Sequence, residues 1–271
     1  MSFKRNKYRL TNSIEVVEYH TARYGAPGQP RSGRTQQTPE AVAKNNQRRK
    51  ERQCSRMVDK YFNDDDYVLT LTYRVEDRPK DMDECKKHLQ KFFRKIKKEY
   101  AKRFYDLFWI RNIEVGPRNA WHVHVIMNRI EGADFLIREQ WPFGGVFFQF
   151  FKNKKAEGED LGKYMAKSAV SAPDKVSDSS WSHSMNVQPV EPETTVISGQ
   201  SMNDKPRTPK GYYLDKSSYR DYVNTEGYRI REYTFRRLDP VRVDHKIKRK
   251  RKRRSNENSK GNNLSVQRSR R

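Results

Sequence analysis

Phe108-Trp109-Ile110-Arg111-Asn112-Ile113-Glu114-Val115, Gly116-Pro117-Arg118-Asn119-Ala120, Trp121-His122-Val123-His124-Val125-Ile126-Met127-Asn128: two β-rich runs flank a Gly-Pro turn, and the stretch reads as a hairpin. Residues i and i+2 of a strand share a face. His122 and His124 therefore present two imidazoles side by side, while Val123, Val125 and Met127 face the core. Neutral imidazole is the commonest protein metal ligand. For the pair alone, the competing reading is a half-exposed strand that happens to carry two polar residues. If Val115 and Trp121 close the turn, Glu114 falls opposite His122 and Asn112 opposite His124, with opposed Cβ atoms ~4.5–5.5 Å apart. One carboxylate and two imidazoles then converge on one spot of the sheet. Three such ligands leave positions open for a substrate oxygen. They suit a divalent ion: Mn²⁺ or Mg²⁺ for phosphate chemistry, with Zn²⁺ also compatible with the set.

Working outward, Tyr67-Val68-Leu69-Thr70-Leu71-Thr72-Tyr73 alternates as a strand. After Pro79, Asp83 is positioned to cap a helix whose apolar residues Cys85, Leu89, Phe92, Ile96 and Tyr100 step by three and four. Ala133 to Gln140 reads as a short helix, Gly145 to Phe151 as a strand, and Glu159 to Ala169 as a helix with Leu161, Met165 and Ala169 on one side. The order β-α-β-β-α-β-α predicts an α+β fold, ferredoxin-like or RRM-like, with an antiparallel sheet and helices on one face.

Around this core (67–170) the chain divides into further parts. Residues 1–66 form a basic N-terminal extension, with a short strand from Ser13 to Tyr19 and a basic helix from about Pro39 to Tyr61. That helix carries Lys44, Arg48, Arg49, Lys50, Arg52 and Arg56, either as a solvated face or as a phosphate-contacting arm. Residues 171–209 show no sustained period and read as a linker or long loop. Residues 210–238 hold a C-terminal strand, Tyr228 to Phe235, placed as an extra edge of the sheet. Residues 239–271 form a polybasic tail, too charged to pack and disordered until bound.

Composition narrows the class. Hydrophobic residues make up 34% of the 271-residue chain, and Lys+Arg 58 against Asp+Glu 34 leaves a net charge of +24. Mean hydropathy is −1.15. Such an excess of positive charge is naturally neutralised by a polyanion. No apolar run approaches the ~18 residues of a bilayer span, so a membrane role is not expected. Cys54 and Cys85 stand far apart without CxxC spacing, which argues against a thiolate zinc site or a disulfide framework and fits a reducing compartment.

Three further groups carry chemistry. Thr70 and Thr72 share a strand face with Val68, where their hydroxyls can reach ligands or DNA phosphate, although Thr is common in strands simply for its β-branching. Tyr164 and Lys167 lie three apart on a helix side not used by Leu161 and Met165. A phenol near a metal-polarised phosphate and a cation can act as a nucleophile; the competing reading is a tyrosine that packs by its ring on a surface helix. In the tail, Lys248, Arg249, Lys250, Arg251, Lys252, Arg253 and Arg254 are candidate DNA contacts.

Taken in order, Tyr67-Val-Leu-Thr-Leu-Thr72, Glu114 with His122-Val-His124, and Tyr164-Met-Ala-Lys167 resemble motifs one, two and three of the HUH rolling-circle replication initiators. Within these, the chain resembles replication-associated proteins related to filamentous-phage gene II proteins, from plasmids, phages and integrated elements of Gram-positive bacteria. Glu18 to Gly25, Lys210 to Asp215 and Tyr233 to Phe235 add to the resemblance. It implies a metal-dependent nickase of single-stranded DNA: Glu114, His122 and His124 hold the metal, Tyr164 forms a 5′-phosphotyrosine link with Lys167 beside it, and the freed 3′-hydroxyl primes synthesis. The implied partners are single-stranded and origin DNA, with a host replication helicase or polymerase, in the bacterial cytosol. Some relatives carry two tyrosines on the last helix, whereas Asp160 and Ser168 stand here, so Tyr164 is alone. The alternatives are an HUH transposase or relaxase, or a non-catalytic RRM-like module, for which Glu114, His122 and His124 make a poor stacking platform.

Overall fold

The computed structural model describes residues 2–21, 38–153, 160–166, 181–224 and 228–247. They form an α+β structure of two antiparallel five-stranded sheets and four helices. The first sheet contains β3 (Tyr67–Thr72), β4 (Trp109–Gly116), β5 (Ala120–Met127), β6 (Val146–Phe150) and β7 (Trp181–His183), in the order β6-β3-β5-β4-β7. Its hairpin register is the expected one, Glu114 opposite His122 and Asn112 opposite His124.

Alternation along these strands gives the sheet two unlike faces. Leu69, Leu71, Ile113, Val115, Val123, Val125 and Met127 point one way and pack on α2 (Met82–Lys102) and α3 (Ala133–Gln140). On α2 the stepped residues Cys85, Leu89, Phe92, Ile96 and Tyr100 are each at most 1% exposed. The helix is capped by Asp81, whose side chain accepts from the Glu84 N–H at 2.8 Å; Asp83, the expected cap, sits inside the first turn.

The opposite face is apolar at one end only. Ile110 and Ile126 are covered there by α1 (Pro39–Tyr61), through Cys54, Met57 and Val58, and by α4 (Leu161–Ala166), through Met165 and Ala166. Helices therefore lie on both faces, not one, because Ile110 and Ile126 also need cover. Beyond the fully buried Asn112, the other end of this face carries Glu114, His122, His124, Thr70 and Thr72, whose polarity leaves no apolar surface for a helix to bury.

The second sheet has the order β8-β1-β2-β10-β9, from β1 (Ser2–Arg9), β2 (Ser13–Thr21), β8 (Glu193–Ile197), β9 (Tyr212–Val223) and β10 (Arg229–Arg237). Three expectations change here. The C-terminal strand is β10, paired between β2 and β9 in this sheet and not at the edge of the first. The stretch read as a linker contributes β7 to one sheet and β8 to the other. The basic helix α1 is sandwiched between the sheets: Arg56 makes two bonds to Glu15, at 2.6 and 2.9 Å, and Arg52 pairs with Glu232 at 2.9 Å. Those two arginines are thus committed to carboxylates of the protein, while Lys44, Arg48 and Arg49 remain exposed.

Candidate functional site

The polar end of the first sheet is built around His124. Its Nδ1 lies 3.3 Å from the Thr70 hydroxyl, and its Nε2 lies 3.3 Å from Glu114 Oε2 and 3.3 Å from the Tyr164 hydroxyl. The ring meets that of Tyr164 edge-on, at 5.4 Å and 74°. Thr70 is directly across from His124 and Thr72 across from His122. With Nδ1–H donating to Thr70, the Nε2 lone pair faces the carboxylate and the phenol. A ring held this way is oriented as a metal-ligating histidine is by its outer hydrogen bond.

Tyr164 reaches this point because α4 is seated tightly on α1. A Cβ on Gly162 would stand 2.3 Å from Ser55 Cα and 2.6 Å from Ser55 N, so only glycine allows the approach. Asp160 fastens the same contact. One carboxylate oxygen accepts from the Lys163 N–H at 3.1 Å and the other from the Ser55 hydroxyl at 2.8 Å. At the far end Gln47 Nε2 donates to the Ala166 carbonyl at 2.9 Å. The departure noted at position 160 thus has a structural role. Gly162, Ser55 and Gln47 do not stand out as functional in the sequence; the signal it does carry is a helix-capping aspartate, Asp160, two residues before a glycine.

Tyr164 is 46% exposed, with its ring edge on the histidine and its hydroxyl at the mouth of the site. Partial burial, and then the charge of Glu114, hold its phenol above the ordinary range. Thr72 turns to a different task. Its hydroxyl accepts from the Gly145 N–H at 3.1 Å, pinning the loop before β6, where a Cβ on Gly144 would stand 2.3 Å from the Thr72 carbonyl oxygen. Beyond Thr70 on the same face lies Phe147, paired with Thr70 and 62% exposed. Alternation in Val146-Phe147-Phe148-Gln149-Phe150 already required one of Phe147 and Phe148 to face outward.

Among the described residues no group of three His, Cys, Asp or Glu side chains stands gathered to hold a metal ion. Glu114 and His124 are in contact, and His122 is one pair along, directly across from Glu114 by register. The donor types are those a divalent ion takes, so the fit lies in residue type and backbone register, with two of the three side chains already together. Lys167 and the tail residues Lys248, Arg249, Lys250, Arg251, Lys252, Arg253 and Arg254 lie outside the described residues.

No helix among the described residues is long and apolar enough to cross a membrane. Comparison with curated proteins and with solved structures finds no match for the chain. Residues 66–169 match the family model of the replication-associated proteins of the ORF2/gene II protein type, a span that runs from β3 through α4 and includes Thr70, Glu114, His122, His124 and Tyr164. The segment that carries the site is therefore similar to that replication-associated family, and the match supports a replication-associated function, with DNA binding, for the chain.

Proposed function

We propose that this protein initiates rolling-circle replication as an HUH-type nickase, cutting and rejoining single-stranded DNA through Tyr164. The observation that carries the reading is the 3.3 Å approach of the Tyr164 hydroxyl to His124 Nε2, itself 3.3 Å from Glu114. A phenol from α4 meets an imidazole from β5 and a carboxylate from β4 at a single point, at the polar end of the sheet.

Glu114, His122 and His124 would hold a divalent cation, Mn²⁺ or Mg²⁺. When bound, it supplies positive charge that polarises the scissile phosphate and favours the anionic phenol. The rest is done by the chain. Thr70 fixes the His124 ring from behind. The Asp160–Ser55 bond and the bare Cα of Gly162 hold the nucleophile's helix in place. Phe147 offers a ring on which a base of the strand can stack. The Tyr164 oxygen forms a bond to phosphorus as the bond to the 3′-oxygen breaks. The phenol gives up its proton, and the 3′-oxygen leaves as a hydroxyl. The phosphodiester energy is kept in the tyrosine link, so rejoining needs no ATP.

The test is incubation with single-stranded origin-region oligonucleotides and Mn²⁺, followed by denaturing electrophoresis. Wild type should give a covalent protein–DNA band that chelation abolishes and that Tyr164→Phe lacks. Cleavage that survives Tyr164→Phe would remove Tyr164 as the nucleophile.

A further inference from the structure

The second sheet has an outer face that the nicking chemistry does not use. Glu15 and Glu232 point to α1, so their strand neighbours Ile14, Val16, Tyr233 and Phe235 point away from it. These four are at most 6% exposed and form a small apolar floor. Over the floor runs the segment 201–212. Arg231 ties its start, donating to the carbonyls of Ser201 at 3.1 Å, Met202 at 2.8 Å and Asp204 at 2.7 Å. Leu238 N–H ties its end by donating to Gly211 O at 2.9 Å. Between sheet and segment lies a recess of about 750 Å³.

Its walls are cationic. From β1 come Arg5, Lys7 and Arg9; from the crossing segment come Lys205, Arg207 and Lys210; among the described residues the one lining carboxylate is Asp204. Some of this charge is answered. Glu18, fully buried, pairs with both Arg5 and Arg231, and Arg9 pairs with Glu193 in full solvent. Lys205 and Arg207 are exposed, as is Lys210, and none of the three has an ion pair among the described residues. Tyr212, half-buried, stands at the rim.

We propose that this recess is a second nucleic-acid site, which holds a length of single-stranded DNA by its backbone phosphates. Cations on both walls suit a strand whose phosphates lie against them, with the half-buried Tyr212 ring at the rim in reach of a base. The choice of DNA as ligand rests on the replication-associated reading. The recess itself faces away from α1, while His124 on the first sheet, with Tyr164 of α4 against it, lies on the other side of that helix. One protein molecule thus grips the strand at two places.

The test uses the full chain and the variant Lys205→Glu/Arg207→Glu/Lys210→Glu, all three being exposed side chains. Binding of a long fluorescein-labelled single strand is measured across salt concentrations. Three lost contacts should weaken binding roughly tenfold or more at low salt and make the logarithmic salt dependence shallower by about 2. A short oligonucleotide that fills only the Tyr164 site should form its covalent adduct at the wild-type rate. Affinity and salt dependence equal to wild type would overturn the proposal. So would a variant that loses only mononucleotide binding while strand affinity is unchanged. As an independent measurement, a bromodeoxyuridine-containing strand should photocross-link to peptides from 201–212; cross-links confined to the first sheet would count against the site. If neither protein forms an adduct yet the binding loss is seen, the nickase reading fails and the second site stands.

Discussion

At the scale of single residues, the candidate site depends on groups that hold others in place. Thr70→Val keeps the shape of the side chain and removes the contact to His124 Nδ1. Losing an outer hydrogen bond of this kind costs about 10- to 100-fold in activity or metal affinity, so adduct formation should slow by that factor while the melting temperature hardly moves. An unchanged rate would mean that the ring orients itself. Gly162→Ala asks for more, since its Cβ would meet the Ser55 backbone at 2.3 Å. Helix α4 must shift, at a cost of about 1–3 kcal/mol. The variant should melt earlier and form adduct poorly, in contrast to Lys163→Ala one position on, whose side chain is exposed. The placement of Glu114, His122 and His124 on one sheet face is legible at this scale, from period-2 alternation and one turn. Gly162 is not, because its reason lies in Ser55, more than a hundred positions earlier in the chain.

At the scale of elements, pairing across long sequence distances decides what could not be read. The hairpin β4–β5 closes locally, and its register is written in its own residues. Strand β1 mixes Lys and Arg with Asn and Tyr, which gives no apolar face, and it is held by pairing with β2 on one side and β8 on the other. Strands β7 and β8 are too short to show a period, with 3 and 5 residues. The second sheet is pinned by a buried charge cluster: Glu18, 0% exposed, accepts from Arg231 and Arg5 at 2.5 Å and from the Tyr233 hydroxyl at 3.0 Å. Glu18→Ala leaves Arg231, whose side chain is 3% exposed, with carbonyl partners but no countercharge, and removal of one partner of a buried pair costs about 3–5 kcal/mol. Urea titration should show that loss. A change below about 1 kcal/mol would mean that water reaches Arg231 and screens it.

At the scale of the whole molecule, two sheets share one helix, and the packed core sets the limits of stability. Burial pushes the phenols of Tyr73, Tyr100 and Tyr233 well above the ordinary range, and the Cys85 thiol from 9.0 up to about 11. Folded values above unfolded ones mean that this stability is complete at neutral pH. It is lost as pH rises, because the unfolded chain ionises first. The urea midpoint should therefore hold to about pH 8, where the unfolded thiol starts to ionise, and fall steeply above pH 10 with the unfolded phenols. A flat profile to pH 11 would contradict the burial. The net charge of +24 asks for a polyanion, and the open polar end of the first sheet brings a phenol, an imidazole and a carboxylate together where such a polyanion can enter. The central claim is that this phenol becomes covalently joined to DNA. The most direct measurement is mass spectrometry of the protease-digested adduct made with a single-stranded origin oligonucleotide and Mn²⁺. The account predicts a peptide containing Tyr164 that carries the 5′-phosphate of the downstream strand, with a free 3′-hydroxyl on the upstream product; DNA attached to any other residue, or cleaved with no attachment at all, would contradict it.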